Sequence, residues 1–384
     1  MATSPPAQTD KAKPKGDANS NLNGHLFAAC AAAVLVVALL VNRYVLEPME
    51  AIAAIPKPND IFIVSYPKSG STFVRLLLGH LSVNGQGDTS TQLDLQTIED
   101  VVPDLEYGPN RRKYVRGVYH SKERGGGGRS SSGGAPGGSS LSTPRLFKSH
   151  QGFGYHYQPP CDSTIGSRNV EQFMCDCPNC PRHFQRIVYV VREARDVLCS
   201  YFHFQTKLGE FVPSSNSSSS SSGGGGSGDG DGAFSEFLRS DAEEALYPGV
   251  RWVDHVAAYF RQVQNASSGQ DILLVRYEDL RDPATALDAA TRVAAWAGLP
   301  SAPGAVRDAL ERSDFGKMRT LEEARGRKLF DRHYDVAGTD FRLTRRGVVG
   351  GWKDDPQCQL PETESRAFHE AVSPLLRKLG YSAE

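Results

Sequence analysis

The stretch at 61–81, IFIVSYPKSGSTFVRLLLGHL, constrains this chain most: an apolar strand runs into a short loop of Lys, Gly and Ser and then into a helix. That order builds an anion site. Glycine in the loop lets the backbone approach a phosphate, and Ser71 and Thr72 stand where helix N–H groups and the positive end of the helix dipole point outward. Lys68 adds a full charge. The spacing differs from the NTPase pattern G-x-x-x-x-G-K-[ST], in which the Lys comes late and a hydroxyl is reserved for magnesium. Here Lys68 precedes Gly70, which disfavours metal-assisted NTP hydrolysis. Taken alone, such a loop reads equally well as a plain strand-to-helix turn.

At 384 residues and 39% hydrophobic content, the chain has room for one large globular domain with appendages. Its formal charge of -1 lacks the basic excess of a nucleic-acid binder. Residues 1–24 are rich in Pro, Lys, Asn, Gly and Asp, bury too little apolar surface to offset ordering entropy, and are expected to be a disordered tail. Residues 25–42 contain the uncharged run LFAACAAAVLVVALLV, close to the roughly 20 apolar residues that a membrane span requires. We expect a single-pass signal anchor there, with a cleaved signal peptide as the rival, although no clear small-x-small site follows. Lys11, Lys13 and Lys15 before the span, against Arg43 and the more distant Lys57 after it, place the N-terminus in the cytosol and the main domain in a lumen such as that of the Golgi. A cytosol-facing domain is the other possibility. A stem at 43–59 would connect anchor and domain.

The domain, expected at 60–381, alternates strand-like runs (61–65, 186–191, 272–276) with helix-like runs (71–81, 196–204, 252–263, 283–297, 362–379). Short apolar runs between helices indicate an α/β fold with a central parallel sheet flanked by helices. Two nearly pure Gly/Ser stretches, 125–140 and 214–232, read as flexible insertions.

Four ordered motifs carry a family resemblance. SYPKSGSTF resembles the loop with which sulfotransferases bind the 5'-phosphosulfate of PAPS, the sulfuryl donor. RLFKSHQGF at 145–153 resembles the segment holding that family's catalytic histidine. RIVYVVREARDVLCSYFHF at 186–204 is similar to the strand and helix that bind the donor's 3'-phosphate. TRRGVVGGWK at 344–353 resembles the late R-K-G-x-x-G-x-W-K motif. The likeness is to the cytosolic-type, small-molecule sulfotransferases and extends from about residue 60 to 379. It implies a single catalytic domain, related in architecture to the P-loop kinases, that needs PAPS as co-substrate and no metal.

Carried over residue by residue, the resemblance puts Lys68, Ser69, Gly70, Ser71 and Thr72 on the released phosphate. It makes His150 the general base and lets Lys148 stabilise the transferring sulfuryl group. Arg192 and Ser200 would hold the 3'-phosphate, with Arg345, Arg346 and Gly347 closing over it. Phe73, standing where the family commonly has Trp, would join Tyr277, Ser313 and Phe315 around adenine. The chemistry asks for such groups on its own terms. Charge spread over three oxygens calls for positioned cations, and an attacking hydroxyl that must lose its proton calls for a neutral imidazole. Ser200, read alone, is a hydroxyl bonded to its own helix. His203 and His255 read as structural. Gly351 stands where the family commonly has Asp.

Cys161, Cys175, Cys177 and Cys180 cluster as C-x13-C-x-C-x2-C, which disulfides, zinc or free thiols would each explain. Cys30 falls in the expected anchor and Cys199 in the expected core. Asn216 and Asn265 stand in N-x-S sequons that matter in a lumenal domain. The expected activity is sulfuryl transfer from PAPS to an acceptor hydroxyl or, second, an amine, on a small molecule or a glycan. The alternatives are a Golgi carbohydrate sulfotransferase and a catalytically silent nucleotide-binding module. A nucleoside-phosphate kinase fits the fold but lacks an NTPase loop and an acidic magnesium motif.

Overall fold

Ile61–Ser65, fully buried along its length, is an inner strand of the sheet on which the domain is laid down (β1). The computed structural model of the protein describes residues 58–105, 144–153, 184–214, 232–240, 243, 249–265, 269–325 and 343–381. Three expectations lie outside these residues: the tail and anchor, the 125–140 insertion, and the cluster Cys161, Cys175, Cys177 and Cys180. Nearly all of the stem and of the 214–232 insertion lies outside them as well. No helix among the described residues is long and apolar enough to cross a membrane.

β1 pairs in parallel with β2 (Leu146–Ser149) on one side and β3 (Arg186–Val191) on the other, and β3 pairs in parallel with β4 (Asp271–Arg276), giving the order β2-β1-β3-β4. Alternate residues of each strand enter opposite cores. Phe62, Val64, Phe147, Ile187 and Tyr189 face one; Ile61, Ile63, Leu146, Val188 and Val190 face the other. Both faces are buried, which is why β1 and β3 read as unbroken apolar runs.

The first core is closed by α2 (Ala194–Leu208), α3 (Ala233–Arg239), α4 (Trp252–Gln264) and α9 (Glu362–Lys378). The second is closed by α1 (Ser71–Gly85), α5 (Tyr277–Arg281), α6 (Ala286–Ala297), α7 (Pro303–Arg312) and Met318 of α8 (Phe315–Arg325). The expected fold class is the one found. Helix boundaries move, most of all at the end of α1, at both ends of α2, which runs on to Leu208, and at the start of α6. α1 continues to Gly85, and α2 starts at Ala194 because the Glu193 side chain caps it by accepting from Asp196 N–H at 2.9 Å. The helix expected from 283 starts at Ala286, because Asp282 accepts Ala284 N–H at 2.9 Å and turns the chain around Pro283.

Candidate active site

The residues that follow β1, β2 and β3 meet at one end of the sheet. The chain leaves β1 for a neighbour on one side and later lays β3 on the other, and in open parallel sheets ligands bind outside the strand ends at that point. The β1 loop is shaped for it. Lys68 has φ 67°, the only positive φ of a non-glycine among the described residues, a conformation that costs about 1–3 kcal/mol and clusters at functional loops. Gly70, at φ 99°, is the N-cap of α1, which has no side-chain cap and no acid in its first turn. Its positive end is therefore unneutralised. A Cβ on Gly70 would lie 2.2 Å from Tyr277 Cδ2, so no larger residue fits. Ser71 is buried at the helix start beside half-buried Thr72.

Cations gather around this loop. Lys68 Nζ donates to Leu343 O at 3.4 Å and lies 4.3 Å from the Phe204 ring centroid. Burial pushes its ammonium down to about 8; Glu322 works against this, whereas Arg345, Arg192 and Lys148 add repulsion. A polyanion bound at this loop would favour the charged form and raise the Lys68 pKa above its value in the free protein. Affinity for adenosine 3',5'-bisphosphate is thus expected to be fully present below pH 8 and to fall as pH rises past it, approaching tenfold per unit at steepest. Titration calorimetry from pH 6.5 to 9.5 checks this, and constant affinity across the range would remove Lys68 from the phosphate contact.

Arg192 stands at the β3 terminus with its NH2 2.7 Å from Val348 O and 3.2 Å from Asp196 Oδ2, and its guanidinium over Tyr277 at 4.8 Å. The Nε atoms of Arg192 and Arg345 and the hydroxyl of Ser69 are buried with no hydrogen-bond partner. Such donors suit a ligand rich in acceptors. Ser200, half-buried, lies two turns along α2 from Arg192.

His150 directly follows β2. Its Nδ1 lies 2.7 Å from the Ser65 carbonyl, which can only accept, so Nδ1 carries the proton and Nε2 carries the lone pair. Burial holds the imidazole well below its usual range, with Lys148 adding to the effect and Asp104 and the Ser65 bond opposing it. His255 fixes the backbone here: its Nε2 donates to His150 O at 3.0 Å and its Nδ1 accepts from Tyr189 OH at 2.9 Å. That is the structural role expected for His255. Lys148, two residues before His150, is paired with Asp104 at 2.9 Å.

Three carboxylates that no sequence pattern singled out assemble the late segment over the loop. Glu322 accepts the N–H groups of Leu343 and Thr344. Asp196 accepts Gly350 N–H at 2.7 Å and Trp352 N–H at 3.2 Å while pairing Arg192. Asp355 pairs Arg345 and His203 and lies 3.7 Å from Arg346. Gly347, at φ 63°, lies so close to Phe315 that a Cβ would stand 2.2 Å from its ring. Phe73 and Tyr277 meet edge to face at 6.2 Å. Ser313 is fully buried, with its hydroxyl 3.1 Å from His80 Nδ1; in this state it ties the end of α7 to α1. Cys199, as expected, lies in the core, and it is also bonded to Cys358.

The family described as Sulfotransferase domain matches residues 58–156 and 181–380, well over half of the chain. This chain belongs to the PAPS-dependent sulfotransferase family. Among its relatives, the sulfotransferase is similar to rabbit (Oryctolagus cuniculus) amine sulfotransferase, 20% identical over 333 residues covering 87% of this chain and 86% of the relative. It is likewise similar to Flaveria bidentis flavonol 3-sulfotransferase, 25% identical over 305 residues covering 77% and 76%. The solved structure of mouse sulfotransferase SULT7A1 complexed with PAP aligns over 86% of this chain and 89% of that one, at 17% identity and a TM-score of 0.46.

Proposed function

We propose that the sulfotransferase moves the sulfuryl group of PAPS to an acceptor hydroxyl, with an amine as second acceptor class, using His150 as general base. The observation that carries this is the half-buried His150 whose Nδ1 lies 2.7 Å from the Ser65 carbonyl, which leaves Nε2 as the proton acceptor, with Lys148 close enough to help hold the imidazole neutral. PAPS, when bound, supplies the sulfuryl group; the residues of this chain bind, orient and deprotonate. Lys68, Ser69, Gly70 and the first turn of α1 hold the phosphate being released. Arg192, Ser200, Arg345, Arg346 and Gly347 hold the 3'-phosphate, and Phe73, Tyr277, Ser313 and Phe315 border the adenine. His150 Nε2 takes the acceptor proton while Lys148 and Lys68 offset charge on the transferring group. The KSH segment favours a small-molecule acceptor, and the apolar run at 25–42 favours a glycan in a secretory lumen. The names of the two relatives include both an amine and a flavonol.

The test is calorimetric titration of the full chain with adenosine 3',5'-bisphosphate, AMP and ATP in EDTA. Metal-independent preference for the bisphosphate is expected. Indifference to the 3'-phosphate, or ATP binding that returns with magnesium, would turn the assignment toward a kinase, and bisphosphate binding with no transfer to any acceptor would make the chain a silent module. We also propose the lumenal, membrane-anchored arrangement. Asn265 ends α4 and is exposed, so expression in secretory-competent cells is expected to give a glycosidase-sensitive mass that Asn265→Gln removes. An unmodified Asn265 would count against the lumen.

A further inference from the structure

The bond between Cys199 and Cys358 joins α2 to the short 3-10 turn Pro356–Cys358. A bridge needs only two sulfurs, yet two more side chains with ligating atoms are built around this one. His203 is one helical turn after Cys199, which puts both on one face of α2. Asp355 precedes Cys358 by three residues and caps its turn, with Oδ1 accepting Gln357 N–H at 3.2 Å. One ligand atom from each of Cys199, His203, Asp355 and Cys358 lies within 4.8 Å of all the others.

The separations have the dimensions of a metal site. His203 Nε2 is 3.0 Å from Asp355 Oδ2 and 3.7 Å from Cys358 Sγ, and Cys199 Sγ is 3.8 Å from Asp355 Oδ2. A tetrahedral zinc with ordinary bond lengths places nitrogen about 3.3 Å from oxygen, sulfur about 3.5 Å from nitrogen or oxygen, and two sulfurs about 3.8 Å apart. His203 Nε2 and Asp355 Oδ2 stand about 0.3 Å closer than in such a site, and the two sulfurs, bonded to each other, must part before a metal can enter. The residue types suit zinc and no hard oxygen-seeking cation. Both cysteines and Asp355 are buried, as in closed structural sites; Gln357 N–H holds the outer oxygen of the carboxylate, while Arg345 donates to Oδ2 itself and lies 3.6 Å from Cys199 Sγ, so with metal bound its guanidinium must stay as an outer donor to these two ligand atoms.

We propose that, once the Cys199–Cys358 bond is reduced, Cys199, His203, Asp355 and Cys358 form a tetrahedral zinc site, and that the bonded form is its oxidised, metal-free state. The reductant is a cellular dithiol. Its thiolate attacks one sulfur, its second thiol resolves the mixed disulfide, and two electrons and two protons pass to the cysteines as the reductant leaves oxidised. Zinc binding then releases both thiol protons, and the proton on His203 Nε2 moves to Nδ1. Either state ties α2 to the segment that carries Arg345. The inference is independent of the acceptor and of His150.

The test uses the full chain with Cys161→Ser, Cys175→Ser, Cys177→Ser and Cys180→Ser, so that the cluster outside the described residues binds nothing. After reduction with a phosphine and anaerobic desalting, the protein is titrated with Co2+ and then Zn2+ against a chelating indicator. One equivalent is expected, with tetrahedral visible bands and a thiolate-to-cobalt charge-transfer band that Zn2+ abolishes, and none in the oxidised protein. Cys358→Ser and His203→Gln are each expected to lower Zn2+ affinity by more than the about 10–100-fold that losing an outer hydrogen bond costs. Absence of the bands in reduced protein that keeps its circular dichroism, or bands unchanged in Cys358→Ser, would overturn the site. Should the reduced chain unfold, refolding on addition of Zn2+ supports it and failure to refold overturns it.

Discussion

His150→Ala is expected to lower sulfuryl transfer by about 10²–10⁴-fold, the loss typical of removing a positioned proton acceptor, while binding of adenosine 3',5'-bisphosphate stays nearly unchanged. The separation follows from geometry. His150 belongs to the end of β2 and bonds to Ser65 at 2.7 Å, whereas the donors assigned to the 3'-phosphate come from β3, α2 and the late segment. Single-turnover transfer from labelled PAPS, with an acceptor found by screening hydroxyl compounds, reads the first quantity, and calorimetry reads the second. Retained turnover would reject His150 as the base. The pH profile adds a check with a definite sign. Burial depresses this imidazole, so the base is already neutral at pH 6.5 and its contribution is lost only as pH falls well below that value. A fall in turnover centred at or above pH 6.5 would mean that His150 is solvated.

Arg192→Ala is expected to weaken binding of adenosine 3',5'-bisphosphate by about 10–100-fold, as for losing a hydrogen bond to a charged partner, and to change AMP binding little. AMP serves as an internal control, because Arg192 also bonds Val348 O at 2.7 Å and its loss loosens the late segment. Equal losses for the two nucleotides would make Arg192 structural. Arg192→Lys is expected to restore only part of the affinity, since an ammonium keeps the charge without the planar fork that grips phosphate.

The path from β1 through the loop into α1 was legible because each step has its own signal: an unbroken apolar run, a Gly with Lys in the turn, then helical periodicity. β3 and α2 were legible for the same reason. β2 is four residues long, too short for a period, and only its motif marked it. α7 was not anticipated, although Pro303 at its first turn is a start signal. Of the site, the residues that follow strand ends could be read from motifs. Asp104, Asp196, Glu322 and Asp355 could not, because each acts on a partner that the chain places there only after folding: Asp196 on Gly350, for instance, and Asp355 on His203. A carboxylate on a helix face looks the same in sequence whether it faces water or organises a loop. Cys358 carried no signal for its pairing with Cys199 across a separation of 159 residues.

Because Asp196 and Glu322 receive the late segment from the far end of the chain, the proposed nucleotide pocket is completed late in synthesis, with only α9 still to follow. A nascent chain that has not yet reached residue 343 can already contain the Lys68 loop, His150 and Arg192, yet the cap over them is missing. Nucleotide bound there would therefore favour molecules that have reached the late segment. Its binding energy is added to the stability of the whole assembled domain and not to that of any fragment, so a cell well supplied with the bisphosphate or its sulfated form would retain complete chains preferentially over interrupted ones.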